Sequence, residues 1–219
     1  MENKISYIVK SLFRKYYSYI EINEELIKDF NKREIALWEF GSDTLKRHLS
    51  FKDFNQMKEF LSKNPPLHLY FSTAIYEFPS IPNMEDKRLI SANLVFDIDI
   101  DHINTPCKSE HDFWKCRKCN DFGKGFILKC KTCKGENIER ESFVCNKCLD
   151  YAKLELFKLI EDFLFKDFGL NKDEIRIIFS GNRGYHVYVL NEEYSKLNSK
   201  ERSLIVDYIK GTSLKIYFF

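Results

Sequence analysis

All seven cysteines of this 219-residue chain fall between Cys107 and Cys148, and six of them form three C-x-x-C pairs: Cys116/Cys119, Cys130/Cys133 and Cys145/Cys148. A C-x-x-C pair brings two thiolates to one ion, whereas core residues follow the period of a helix or a strand. The opening stretch MENKISYIVKSLFRKYYSYI interrupts its apolar positions with Lys10, Arg14 and Lys15, so it reads as neither a signal peptide nor a membrane span. In a chain that reads as intracellular, such clustering points to metal ligation rather than disulfides. The surrounding segment has few aliphatic residues, and from His102 to Asp150 it carries ten Lys/Arg against seven Asp/Glu. Residues 102–149 are therefore expected as an inserted module held by metal rather than by a core of its own.

Read in order, Cys107, His111, Cys116 and Cys119 form a C-x3-H-x4-C-x2-C set, and Cys130, Cys133, Cys145 and Cys148 form C-x2-C-x11-C-x2-C. Closed sets of four thiolate and imidazole donors imply structural Zn²⁺. A lone histidine is usually only a polar residue, but His111 lies among the cysteines and completes eight ligands from seven thiols. Interleaved pairings, such as Cys116/Cys119 with Cys145/Cys148, stay open.

Over the whole chain, 44% apolar and 16% aromatic content suffices for a sizeable core. Helical spacing of Ile5, Ile8, Val9, Leu12, Phe13, Tyr16 and Tyr17 predicts an opening amphipathic helix with these residues packed inward. REIALWEF and RHLSF flank Gly41-Ser42-Asp43 as a hairpin, a short helix runs near Asp53 to Lys63, and LHLYFSTAIYEF reads as strand. Tyr151 to Phe168 is helical, Glu174 to Leu190 is strand, turn and strand, and a last helix runs around Ser199 to Lys210 and stops at Gly211. The net charge of +2 announces no nucleic-acid binder, so any such site must be local.

Two motifs carry chemistry. In RLISANLVFDIDID, Arg88 to Asp101, strand alternation sends Asp97, Asp99 and Asp101 to one face and their apolar neighbours to the other. Hard oxygen donors of this kind suit Mg²⁺ or Mn²⁺; the bland reading is an edge strand whose aspartates face water. In SGNRGYH, Ser180 to His186, glycines allow close backbone approach and Arg183 offers a forked donor suited to phosphate. An ordinary hairpin loop would also accommodate such a turn.

Together with REIALWEF and KRHLSF, these motifs in this order resemble the small, catalytic subunit of archaeal and eukaryotic-type DNA primases, over about Arg33 to Gly211. The resemblance implies that family's mixed α/β catalytic domain, made of residues 1–101 and 150–219, with a zinc knuckle at the cysteine module and the second cysteine set going beyond the family's single zinc. It places Asp97 and Asp99 as catalytic, metal-holding aspartates. Arg47, Ser180, Arg183 and His186 become contacts of the incoming nucleotide's triphosphate. Asp101 is an auxiliary at most, and Asp207 does not match the family's third catalytic aspartate, which lies past the point where SLKIYFF ends. The implied activity is primer synthesis from NTPs on single-stranded DNA, as one half of a heterodimer with a large primase subunit. The implied partners are that subunit, template, RNA/DNA primer and NTPs, with no membrane, in the archaeal cytoplasm or a eukaryotic nucleus. A rival reading is a catalytically impaired scaffold that binds zinc and nucleotide, and perhaps single-stranded DNA through Trp114, Lys115, Arg117 and Lys118. A metal-dependent nuclease needs a water-activating base that the motifs do not supply.

Overall fold

The computed structural model describes residues 4–21 and 27–212. The chain divides into two compact units, one of residues 1–93 with 195–197, the other of 94–194 with 198–219. Helices and strands are mixed in both.

The first unit opens with helix α1 (Lys4–Tyr19). Strands β1 (Ile35–Trp38) and β2 (Leu45–Leu49) form the expected antiparallel hairpin, and β3 (His68–Phe71) pairs with the other edge of β1. Between them α2 (Phe54–Lys63) is started by Asp53, whose side chain accepts from the Gln56 amide. Tyr17, Phe30, Ile35, Leu37, Phe54, Met57 and Leu61 make the core. The inward face of α1 is narrower than its periodicity predicts: Tyr17 is buried and Phe13 packs on the core, while Ile8, Leu12 and Tyr16 are exposed.

LHLYFSTAIYEF does not form one strand. It breaks at Ser72-Thr73 into β3 and β4 (Ala74–Tyr76), and β4 pairs with β5 (Leu89–Ala92). Arg88 to Asp101 is likewise divided, because Asn93 is tethered: its amide donates to the Thr73 carbonyl at 2.9 Å and its side chain accepts from Arg33 at 2.8 Å. Strand β6 (Leu94–Asp99) then enters the second unit, and a 3₁₀ turn over Ile100–His102 ends it.

That unit holds two three-stranded sheets. In one, β11 (Gly184–Val189) lies between β6 and β10 (Ile175–Phe179), antiparallel to both. The predicted helix from Tyr151 is the second part of α4 (Asn146–Lys158), continued over Leu159–Asp167 as π-helix; Leu156, Ile160 and Leu164 pack with Leu94, Val187 and Val189. The other sheet, in the cysteine segment, orders β8 (Phe122–Lys124), β7 (Phe113–Cys116) and β9 (Ile138–Glu141), preceded by the one-turn helix α3 (Lys108–His111). After a single turn, α5 (Glu192–Ser195), helix α6 (Ser199–Lys210) begins at an Asn198/Glu201 capping box and ends at Gly211 in the left-handed region. The SLKIYFF ending lies outside the described residues.

Candidate functional site

Strand β6 puts Asp97 and Asp99 on one face, but the expected row of three carboxylates stops there. Asp99 caps the 3₁₀ turn by accepting the Asp101 amide at 2.8 Å, which takes Asp101 out of the strand alternation. The Asp101 carboxylate pairs instead with Arg183. Asp97 keeps a side chain that is 69% exposed, with His186 Nε2 3.5 Å from its Oδ1. That proximity follows from register: His186 is directly opposite Asp97 and Gly184 is opposite Asp99, and opposed residues of an antiparallel pair present their side chains to the same face.

The SGNRG turn joins β10 to β11 around one hydroxyl. Ser180 Oγ accepts from the amides of Arg183 and Gly184 at 3.2 and 3.0 Å, and the Ser180 amide donates to the Gly184 carbonyl at 2.9 Å. Gly181 has φ +85°, which side-chain-bearing residues rarely adopt, and a Cβ on Gly184 would fall 1.7 Å from the Ile98 carbonyl oxygen. This close approach sets Arg183 beside the end of β6, where its carbonyl accepts the Ile100 amide at 3.1 Å. Asp97, Asp99, Ser180, Arg183 and His186 are thus brought together at one end of a single sheet.

Arg47 belongs to the first unit, and its surroundings show two residues that the motif reading did not single out. Glu34, 5% exposed, accepts from Arg47 Nε at 3.0 Å and from the His48 amide at 3.1 Å, and Lys87 Nζ stands 3.1 Å away. Lys87 is fully buried and also donates to the Pro79 carbonyl. Burial pushes the Glu34 carboxyl up, but hydrogen bonds from Arg47 and Lys87 outweigh it and hold the group below the ordinary carboxylate range. Arg47 is thereby fixed while its side chain remains 47% exposed. Glu34 and Arg33 sit in the REIALWEF stretch, yet Lys87 has no local signature; only the fold buries it.

Removing the Glu34 carboxylate strands the buried Lys87 ammonium. Glu34→Ala is therefore expected to destabilise the protein by about 3 kcal/mol in urea titration. Because the Glu34 pKa is lowered on folding, its contribution is present at neutral pH and is lost as pH falls through the folded value.

The eight cysteine-module ligands gather in two groups, but not in sequence order. Cys107 and His111 meet Cys145 and Cys148, while Cys116, Cys119, Cys130 and Cys133 form the other group; in each, the ligand atoms lie within 4.8 Å of one another. This corrects the sequential sets, in which Cys116/Cys119 went with Cys107/His111 and Cys130/Cys133 with Cys145/Cys148. The reason is the small sheet: β7 carries Cys116 away from α3, and the pairing of β9 with β7 returns the chain so that Cys145 and Cys148, at the start of α4, come back to Cys107. In the first group Cys148 Sγ is 3.4 Å from Cys107 Sγ and 3.2 Å from His111 Nε2, and Asp112 Oδ1 lies 2.9 Å from His111 Nδ1. The carboxylate thus lies beside Nδ1 while Nε2 faces the thiols.

Within the second group, the Cys119 amide pulls the Cys116 thiol down to about 7. The Asp121 amide favours a Cys119 thiolate, but burial and three neighbouring thiols outweigh it and push Cys119 up to about 12. Four adjacent thiols cannot all ionise unless a cation accompanies them. Trp114, one of the residues assigned to nucleic-acid contact in the scaffold reading, is 3% exposed and packs with Cys116 and Cys130, so it is structural. Arg117 pairs with Glu139 at 3.2 Å.

No helix among the described residues is long and apolar enough to cross a membrane. Residues 131–216 match the family model described as DNA primase small subunit. The chain is 37% identical over 205 residues to a protein of Nitrosopumilus maritimus named DNA primase small subunit PriS, covering 92% of this chain and 53% of that one. Proteins of the same name from Saccharolobus solfataricus and Sulfolobus acidocaldarius are 38% and 36% identical over 96% and 95% of this chain, and over 60% and 59% of their own lengths. The chain thus spans between half and two thirds of the length of these relatives. Similarity at this level runs along nearly the whole chain, through the aspartate strand and the SGNRGYH turn, so the chain is similar to between half and two thirds of the length of these DNA primase small subunits.

Proposed function

We propose that this chain carries the nucleotidyl-transfer site of a DNA primase, which makes short primers from NTPs on a single-stranded DNA template. The observation that carries this reading is the convergence of Asp97 and Asp99 on one face of β6 with the Ser180–His186 turn, held by the His186/Asp97 register. Relatives are named as small subunits, which supports a large primase subunit as the partner.

Asp97 and Asp99 are the residues to hold Mg²⁺ or Mn²⁺, since their oxygens are hard donors. Such a cation, when bound, neutralises triphosphate charge and eases ionisation of the attacking hydroxyl. The chain's own groups position the nucleotide. Asp101 engages one nitrogen of Arg183 and leaves other guanidinium donors for phosphate oxygens. The Ser180 hydroxyl accepts backbone hydrogens and keeps its own proton to donate. His186 Nε2 supplies a further donor beside Asp97. No covalent protein nucleophile is required.

In the same reading, residues 1–101 and 150–219 form the catalytic domain, and 102–149 an inserted module stabilised by two structural Zn²⁺ in the two groups of four. Sulfur and imidazole donors in closed fours support zinc over a hard cation there.

Nucleotide binding is the direct test. Arg183→Ala is expected to weaken triphosphate binding by about 1.5 to 3 kcal/mol, the range for hydrogen bonds to charged groups. Equal calorimetric affinity of the wild type and the variant for an NTP would place the phosphate elsewhere and remove the turn from the site.

A further inference from the structure

A cleft of about 640 Å³ in the second unit begins at Asp101, next to the proposed nucleotide site, and extends to Phe126 and Arg140 of the cysteine segment. Its two carboxylates are already engaged. Asp101 pairs with Arg183, and Asp112 accepts from Ser142 Oγ at 3.1 Å and the Phe143 amide at 3.2 Å while facing His111. Among the described residues its cations are not paired with carboxylates. Lys108 Nζ donates to the Ile100 and Ile103 carbonyls at 2.7 and 2.8 Å, and Arg140 donates to the Ile127 carbonyl at 3.0 Å. Neutral acceptors hold both side chains in place without cancelling their charge; Asp112, likewise held by neutral donors, sets one negative charge against these two, and the remaining positive excess favours an anion.

At its far end stands an aromatic ring with no core to fill. Phe126 is 70% exposed, with the Arg140 guanidinium 4.7 Å from the ring centre. Its backbone is nonetheless well anchored. Gly125, at φ +81°, donates to the Asp112 carbonyl at 2.7 Å and passes so close to α3 that a Cβ would lie 3.3 Å from the Ser109 carbonyl oxygen. An exposed ring on a fixed loop, beside two uncompensated cations, is the combination that takes bases by stacking and phosphates by charge.

We propose that this cleft binds single-stranded nucleic acid, with Phe126 as the base-stacking platform and Arg140 and Lys108 as phosphate counter-charges, leading the strand toward the Asp97/Asp99 site. The inference rests on the primase reading for the strand's destination, but the cleft's own chemistry carries the binding. Net charge conceals it because the cysteine segment's ten basic residues stand among seven acidic ones, so the excess is small and the placement of the charges, not their sum, makes the cleft.

The test titrates the native protein into a labelled single-stranded DNA oligonucleotide, with NTP affinity and zinc content measured in parallel. Phe126→Ala is expected to weaken oligonucleotide binding by on the order of tenfold, as loss of one stacked base does, while Phe126→Tyr retains it. Arg140→Gln should weaken binding and flatten its salt dependence. NTP affinity should be unchanged in all three. The same oligonucleotide made abasic should bind wild type and Phe126→Ala alike. Wild-type affinity in Phe126→Ala, equal loss in Phe126→Tyr, or tight abasic binding overturns the cleft as a stacking site. Absence of oligonucleotide binding by the wild type overturns it too; intact NTP binding in that case leaves the nucleotide site standing, whereas loss of both removes the primase reading as well.

Discussion

On the proposed nucleotidyl-transfer reading, Asp97→Asn and Asp99→Asn are each expected to lower template-directed primer synthesis on the order of a thousandfold, comparable to removing a principal electrostatic stabiliser from a polar transition state. The asparagine replacement isolates charge from shape. Asp97 is largely exposed, and an asparagine at 99 keeps the acceptor that caps the 3₁₀ turn, so circular dichroism and thermal midpoint should stay close to wild type. Asp101→Asn is the internal control: it loses the ion pair with Arg183 but no strand-face carboxylate, and should cost nucleotide affinity more than turnover. Retained synthesis by Asp97→Asn in the presence of Mg²⁺ or Mn²⁺ would show that β6 is not the catalytic strand.

The second large effect concerns zinc, and it separates the two ways of grouping eight ligands. The protein is expected to hold two Zn²⁺ by elemental analysis. Cys107→Ser combined with Cys145→Ser disables only the Cys107/His111/Cys145/Cys148 group and should release one ion. Cys107→Ser combined with Cys116→Ser strikes both groups and should release both. The sequential sets give the reverse result. Structural zinc contributes about 10 kcal/mol or more of apparent folding free energy at neutral pH, so full chelation should unfold the module. Trp114, buried beside Cys116 and Cys130, reports this as a red shift in its emission. Native Trp114 burial persisting in a metal-free protein would mean that the small sheet folds without ions.

What the sequence by itself determined was local in origin. Alternation in LVFDID set Asp97 and Asp99 on one face because the strand period is two. SGNRG between two apolar runs became a turn because glycine alone tolerates the φ of position 181 and the crowding of position 184. Asp53 and Asn198 capped their helices through their side chains, and Gly211 ended its helix because lacking one lets it take the left-handed backbone. The cysteine spacing was enough to mark out residues that could hold a metal, since each C-x-x-C pair stays together in space.

Tertiary structure alone decided which pairs joined. C-x-x-C spacing fixes two donors, but the choice of partner pair depends on how β7 and β9 return the chain. It also divided the Arg88–Asp101 run at Asn93, which Arg33 and Thr73 hold from far along the chain. The same is true of Lys87, buried against Glu34 where composition would leave a lysine in water, and of Phe126, left exposed where composition would bury it. Burial depends on what the rest of the fold brings against a side chain, and no window of neighbouring residues contains that information.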